Sequence, residues 1–171
     1  MMKTPVLASE RLCFYEWEPE DFPLLVTLHD DPEVQHFLQM GDPPWDDMFL
    51  QAKFEGFRTD YAVHGWTKFK VTDRQGMFIG RAGFGRFEKT QELELGYTFM
   101  RSLWGQGYAT EAAKALLEWI YRVETLDHVI GFAVAEHRAS RKVLEKVGMV
   151  FTGIHDVDGI ANAFYRHNRP V

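Results

Sequence analysis

The sequence predicts a mixed α/β protein built on one sheet, which is largely antiparallel and contains one parallel pair of strands. Residues 65–99 hold short alternating segments joined by turns, as in an antiparallel meander. Residues 109–120 place apolar side chains on one helical face, and residues 128–135 are apolar throughout, as in a strand buried on both faces. These segments form a strand–helix–strand unit, whose crossover should be right-handed.

The N-terminal part of the chain predicts one short strand and three helices. Leu12 and Phe14, followed by Tyr15, form an alternating run that indicates a first strand. Pro19 and Pro32 stand near the starts of two short helices, because proline fits the first turn of a helix. A third helix is predicted over residues 46–62, after the break at "GDPPW".

The rest of the sheet is predicted from segments with strand periodicity and turn residues at their ends. Glycines inside the second segment often mark a bulge or a close approach of two backbones. A last helix is predicted over residues 138–147, where Gly148 ends it. The strand segments span residues 66–72, 77–87, 91–99, 128–135, 149–157 and 162–168.

Composition favours one cytoplasmic domain over residues 1–171. A chain of 171 residues that is 46% hydrophobic can bury a sizeable core. The single cysteine, Cys13, excludes an internal disulfide and suits a reducing compartment. Residues 1–12 lack the apolar core of a signal peptide, and no apolar run approaches the ~20 residues of a membrane span. We therefore expect no membrane partner.

The charges are distributed unevenly along the chain. The net charge of −6 argues against a general nucleic-acid-binding protein, which would carry a basic excess. Residues 1–60 carry 13 acidic and 4 basic residues, a balance of −9, whereas the remainder has a balance of +3. This asymmetry either steers a cationic partner toward the N-terminal third or reflects solvated acidic helix faces.

The stretch "SLWGQGYATEA", residues 102–112, places Gly105 and Gly107 directly before a helix. Glycine permits a positive φ and a close approach to the backbone, and the first N–H groups of a helix are unpaired. This combination predicts an anion site, most commonly one for phosphate. The third glycine of a dinucleotide-binding loop is missing, since Thr110 stands there, and no Walker lysine follows.

Four motifs in order resemble the GNAT N-acetyltransferase superfamily, and within it the RimJ/RimL-like ribosomal-protein N-acetyltransferases. The opening "SERLCFYEWEPEDF" and the later "DPEVQHFL" are similar to the first two motifs of that branch. "LELGYTFMRSLWGQGYATEA" matches its phosphate-loop motif without a gap, and "AEHRASRKVLEKVGMVFTG" matches its last block. The resemblance covers nearly the whole chain and implies the GNAT acyl-CoA N-acyltransferase fold.

The resemblance implies that acetyl-CoA is the co-substrate and that main-chain groups hold it. Arg101 replaces the proline of the motif and either reaches a CoA phosphate or faces solvent. His137 replaces an asparagine, so the pantetheine contact there is open. Trp104 is expected to pack rather than bind. The implied CoA-binding residues are Phe99, Met100, Arg101, Gly105, Gln106, Gly107, Tyr108, Ala109, Thr110 and His137.

The resemblance also implies direct transfer to an amine, without an acyl-enzyme. The family places an acid at Glu94, our candidate base; a surface acidic ladder with Glu92 is the alternative. Leu144 occupies the position of the superfamily's usual tyrosine acid, so that tyrosine is absent; the RimJ/RimL resemblance assigns the serine one turn earlier, Ser140, to the thiolate as the candidate donor. An N-cap is the structural alternative for this serine. The oxyanion donor is expected to be an N–H near Phe99 or Met100.

The acceptor is expected to be an amine at the N-terminal third, where Phe37 and Trp45 line the mouth or belong to a surface loop. Three functions remain open: acetylation of a protein or peptide N-terminal amine, acetylation of a small amine, and an acyl-CoA-binding sensor without turnover. His29 and His36 lack metal-ligand spacing, so no metal is expected. The sequence leaves the oligomeric state open, a homodimer included.

Overall fold

The chain forms an eight-stranded sheet in the order β1-β2-β3-β4-β5-β6-β8-β7. The computed structural model describes residues 3–40, 43 and 45–171. The strands are β1 (Leu7–Ala8), β2 (Leu12–Tyr15), β3 (Lys68–Asp73), β4 (Phe78–Arg86), β5 (Leu93–Phe99), β6 (His128–Val134), β7 (Val150–Val157) and β8 (Ile160–Asn168). All neighbouring pairs are antiparallel except β5 and β6. The predicted fold class is therefore confirmed.

The described residues form five α-helices beside the sheet: α1 (Phe22–His29), α2 (Pro32–Gln35), α3 (Asp47–His64), α4 (Tyr108–Val123) and α5 (Arg138–Lys146). Asp46 caps α3 by accepting from the Phe49 N–H at 2.8 Å, and Gly65 ends the helix with a φ of 79°. The predicted helix therefore exists and extends by two residues. None of the helices in the described ranges is long and apolar enough to cross a membrane.

The two faces of the sheet have separate cores. On one face, buried residues of β3, β4 and β5 pack with Leu116 and Ile120 of α4 and Leu144 of α5. On the other, Trp17 forms a smaller cluster with residues of α1 and α3, and its indole N–H donates to the Lys68 carbonyl at 2.6 Å. The helices α4 and α5 thus lie opposite α1 and α3.

The parallel pair opens the sheet in its middle. β4 and β5 pair at seven positions and β6 and β8 pair at seven, but β5 and β6 pair only at Glu94 and Ile130. Beyond this position the carboxyl-terminal halves of β5 and β6 separate. This leaves a gap in the pairing of the sheet, with residues 95–99 of β5 on one side and residues 131–134 of β6 on the other. We refer to it below as the β5–β6 gap.

Candidate active site

The loop before α4 has the backbone conformation that its glycines predict. Gly105 and Gly107 have φ values of 77° and 82°, and Gly107 is the N-cap residue of α4. Within the described residues, no group accepts a hydrogen bond from the N–H of Gly107, Tyr108, Ala109 or Thr110. These donors and the positive end of the helix dipole can hold an anion such as pyrophosphate.

Arg11, which the sequence did not indicate, fixes this loop to β2. Its Nη1 donates to the Gln106 carbonyl at 2.9 Å, and its Nε donates to Glu111 at 2.6 Å. Burial opposes ionisation of Glu111, but hydrogen bonds from Ser9 and Arg11 outweigh it and lower the pKa of this carboxyl. The guanidinium also lies 4.3 Å from the ring centroid of Tyr108, which identifies the tyrosine ring as a packing group.

The end of β5 offers a main-chain donor to the β5–β6 gap. The Met100 N–H donates to the Ile79 carbonyl of β4 at 2.9 Å. Because N–H directions alternate along a strand, the Phe99 N–H points away from β4, toward the gap. The Phe99 carbonyl accepts from Trp104 Nε1 at 3.0 Å, so this indole secures the turn, while Arg101 is exposed in a 3₁₀ turn.

Glu94 lies at the point where the gap begins, paired with a lysine. Its Oε2 accepts from Lys68 Nζ at 2.8 Å, and both side chains are largely buried, at 18% and 12% exposure. Gly96 leaves room for this ion pair, because a Cβ at position 96 would collide with Lys68 Nζ where it now lies. Glu92 has a different partner, His128, at 2.5 Å. Glu94 is therefore part of a buried pair rather than of an exposed acidic ladder.

Ser140 and Tyr97 form a hydroxyl pair on the opposite face. The Tyr97 hydroxyl donates to the Ser140 carbonyl at 2.9 Å, so Ser140 Oγ, at 3.1 Å, is the donor in their second contact. Burial raises the pKa of Tyr97. His137, not Ser140, is the N-cap residue of α5, which excludes the capping alternative. Tyr97 was not predicted as a site residue. It lies in the "GYTF" segment of the quoted motif, but nothing in the sequence indicated that its side chain contacts Ser140 of α5.

Aromatic rings from the N-terminal third reach the start of α5. The ring of Phe37 stacks on His137 with centroids 4.1 Å apart and an interplanar angle of 13°. Burial, followed by the charge of His36, lowers the pKa of His137. Phe37 thus contacts a residue that was predicted to bind CoA. The ring centroid of Trp45 lies 5.2 Å from that of His29 and 4.9 Å from that of Phe49.

The face of the sheet beneath α1 and α3 carries a group of cations. Arg81 is 6% exposed, and its Nε donates to His29 Nε2 at 3.1 Å. Burial and the Arg81 charge lower the pKa of His29 to about 3, so this imidazole is neutral. Burial also lowers the pKa of Lys53 on α3 to about 8 and that of Arg81 to about 10. Lys68 belongs to the same group; among the described residues its paired carboxylate is Glu94, and the charge of Asp60 has a weaker influence on it.

The profile of the acetyltransferase (GNAT) domain matches residues 11–150. The chain therefore belongs to the GNAT acetyltransferase family and is an acetyl-CoA-dependent N-acetyltransferase. An uncharacterized N-acetyltransferase of Bacillus subtilis, YnaD, is 26% identical over 144 residues, which cover 84% of this chain and 81% of that protein.

Solved structures share the fold. The acetyltransferase from Agrobacterium tumefaciens superposes with a TM-score of 0.84 at 24% identity, over 99% of this chain and 97% of that one. RimL, a ribosomal L7/L12 α-N-protein acetyltransferase solved in complex with coenzyme A, gives a TM-score of 0.79 at 16% identity, over 95% and 97% of the two chains. GNAT relatives thus bind CoA on this fold.

Proposed function

We propose that this protein transfers the acetyl group of acetyl-CoA to the N-terminal amine of a protein or peptide. The observation that carries the proposal is the β5–β6 gap, which brings three elements together. Free N–H groups begin α4, Glu94 lies on one face, and the Tyr97–Ser140 pair lies on the other. The choice of an N-terminal amine is supported by the motif resemblance and by the fold shared with RimL.

The loop before α4 holds the pyrophosphate of acetyl-CoA in this proposal. The pantetheine then runs beside residues 99–101, in the place of a strand next to β5. Gln106 keeps its carbonyl on Arg11, which leaves the N–H side of the loop toward the phosphates. The acetyl carbonyl oxygen accepts from the Phe99 N–H, which would stabilise the negative charge that develops during attack.

The acceptor amine enters from the face of α1 and α3. Glu94 removes a proton from the ammonium, directly or through a water molecule, and the nitrogen lone pair attacks the acetyl carbon. A C–N bond forms, the C–S bond breaks, and the electron pair leaves with sulfur. The Ser140 hydroxyl turns from its hydrogen bond with Tyr97 and passes its proton to that thiolate. The nitrogen still carries one proton more than the amide product, and that proton restores the Ser140 hydroxyl, directly or through a water molecule. The two faces of the sheet therefore supply the base and the acid separately.

A small amine is the second candidate acceptor. Phe37 stacks on His137, and Trp45 packs with His29 and Phe49, so aromatic rings enclose the acceptor side. Such an enclosure suits a compact acceptor, whereas a peptide must leave part of its chain outside the mouth. An acyl-CoA sensor without turnover is less well supported, because Glu94 and Ser140 both lie beside the gap.

The test is the release of CoA from acetyl-CoA with three acceptor pools: peptides with free N-termini, polyamines and aminoglycosides. Transfer confined to peptides supports the proposal, and transfer confined to a small amine supports the second candidate. Calorimetry on Gly107→Val tests the shared premise, because a branched side chain cannot adopt a φ of 82° without strain. Normal acetyl-CoA binding by this variant would contradict the loop assignment.

A further inference from the structure

The cationic group on the acceptor side has an excess of positive charge. Cross-strand pairing places Lys68, Arg81 and Glu94 on the same face of the sheet. Lys53 projects from α3 toward them, near enough that their charges alter its pKa. Within the described residues, the Glu94 carboxylate pairs with Lys68, and Asp60 adds a weaker influence on that lysine. Neither Lys53 nor Arg81 forms an ion pair with a carboxylate of the described residues.

Arg81 has donors that the described residues do not use. Only its Nε makes a hydrogen bond, and the partner, His29, is a neutral ring and not a counterion. Among the described residues, neither terminal nitrogen of Arg81 has a hydrogen-bond partner, and the guanidinium lies 5.5 Å from the ring centroid of Phe57. A guanidinium in this state is ready to bind an anion.

Lys53 is held beside the same space by aromatic rings. Its ammonium lies 5.0 Å from the ring centroid of Trp45 and 5.6 Å from that of Phe49. In the described part of the chain, no carboxylate lies within salt-bridge distance of it. Buried charges are normally paired, because an isolated charge is costly to remove from water. Within the described ranges, Lys53 and Arg81 are thus two cations without a paired carboxylate, and both lie near enough to Glu94 for its charge to act on them.

We infer that the acceptor supplies this anion: it is an amine that carries a carboxylate group close to the reacting nitrogen. Arg81 and Lys53 bind the anionic group, and the amine then lies toward Glu94 and the β5–β6 gap. This inference rests on the proposed function and narrows its acceptor. The anionic group has two sources, the acidic first residue of a peptide and the free carboxylate of an amino acid.

Matched acceptors test the inference. One arm compares amidated peptides that begin with Asp or with Asn, and the other compares phenylalanine with phenylalaninamide. We expect kcat/KM to be at least ~10-fold higher for the anionic member of one arm, as for a charge-assisted bidentate contact. A preference in the first arm identifies a peptide acceptor, and one in the second identifies an amino acid.

Substitutions in the cationic group test whether its residues cause the preference for the anionic acceptor. Arg81→Gln is expected to reduce the preference to within ~3-fold of unity without changing the KM for acetyl-CoA. Lys53→Gln, on the half-buried side of α3, provides the same test if the first variant does not fold. Arg58→Gln is the matched control, because Arg58 lies on α3 in an exposed pair with Glu55 and should leave the preference unchanged.

The outcomes separate this inference from the proposed function. Equal turnover of both members in both arms would overturn the anionic acceptor and leave acetyl transfer intact. If no acceptor is acetylated although acetyl-CoA binds, the proposed function fails, and calorimetry still tests the inference with two pairs: the N-acetylated Asp and Asn peptides, and N-acetylphenylalanine and its amide. Binding of the anionic member of one pair at least ~10-fold more tightly supports the inference, and equal binding within both pairs contradicts it.

Discussion

Replacing Tyr97 by phenylalanine removes one oxygen atom from the proposed proton donor. The Tyr97 hydroxyl holds Ser140 through two contacts, at 2.9 Å to the carbonyl and 3.1 Å to Oγ. Without this hydroxyl, Ser140 Oγ loses the acceptor that orients it. The proton then reaches the thiolate from a less favourable position, and departure of CoA slows.

The expected magnitude follows from the role of the pair. A positioned general acid contributes about 10²–10⁴-fold to the rate. Because Ser140 keeps its own hydroxyl, we expect the lower end, about a 100-fold loss of kcat, which corresponds to about 2.7 kcal/mol of activation free energy. The lost hydrogen bonds should cost about 1 kcal/mol of folding stability, so the variant should fold.

Steady-state kinetics, followed through the released thiol of CoA, measures this prediction. The KM for acetyl-CoA should change by less than ~3-fold, because the loop before α4 is untouched. Ser140→Ala, which removes the donor itself, should show a loss at least as large, and the double variant should be no worse than the worse single one, as expected for residues that act as a unit.

Tyr121→Phe provides a matched control. The Tyr121 hydroxyl also donates to a backbone carbonyl, that of His167 at 2.8 Å, but it lies away from the β5–β6 gap. Its loss should lower the melting temperature and leave kcat unchanged. A Tyr97→Phe enzyme with kcat within ~2-fold of wild type would refute the proton-donor assignment.

Three further predictions concern other parts of the site. Arg11→Gln removes the hydrogen bond to the Gln106 carbonyl, so the Kd for acetyl-CoA measured by calorimetry should rise about 3- to 10-fold; an unchanged Kd would contradict the role of Arg11 in holding the loop. The pKa of His29 is lowered to about 3, so below pH ~6.5 the unfolded state binds more protons than the folded state and the free energy of unfolding falls with acidification. His29→Gln should reduce the pH dependence of the unfolding free energy, measured by urea unfolding at several pH values, by at most ~1.4 kcal/mol per pH unit. An unchanged pH dependence would contradict the buried neutral ring. Lys53, with a pKa of about 8, loses its charge above that pH. The affinity for an N-acetylated acidic peptide, measured by calorimetry, should therefore fall as the pH is raised in the wild type but not in Lys53→Gln. The same pH dependence of the affinity in both proteins would exclude Lys53 from the anion site.

The sheet and the phosphate loop could be predicted from the sequence because their signals are local. Alternation of period two and the apolar face of α4 are read within about 16 residues, and the φ values of Gly105 and Gly107 follow from the need for glycine. β1, with two residues, was missed because it is too short to show a period. Glu94 and Ser140 were assigned from the motif, and the structure places both beside the gap.

The contacts that complete the site could not be predicted, because they join residues far apart in the chain. Arg11 and Glu111 are 100 positions apart, and Tyr97 and Ser140 are 43 apart. The number of acidic and basic residues in a segment also does not predict the charge at one site of the folded protein. The acidic balance of residues 1–60 suits a cationic acceptor, yet the structure gathers Lys53 with two cations, Lys68 and Arg81, on the face of the sheet beneath α1 and α3. The register of β3, β4 and β5 brings Lys68 and Arg81 to one face of the sheet, and the packing of α3 on that face adds Lys53.

The central claim is that acetyl transfer takes place at Glu94, where the β5–β6 gap begins. Glu94→Gln keeps the size of the side chain and an oxygen for Lys68, but it cannot accept the proton of the amine. The most direct measurement is the single-turnover rate of acetyl transfer at saturating acceptor, together with the Kd for acetyl-CoA. We predict a rate at least ~100-fold below wild type with an unchanged Kd. A wild-type rate in this variant would contradict the account.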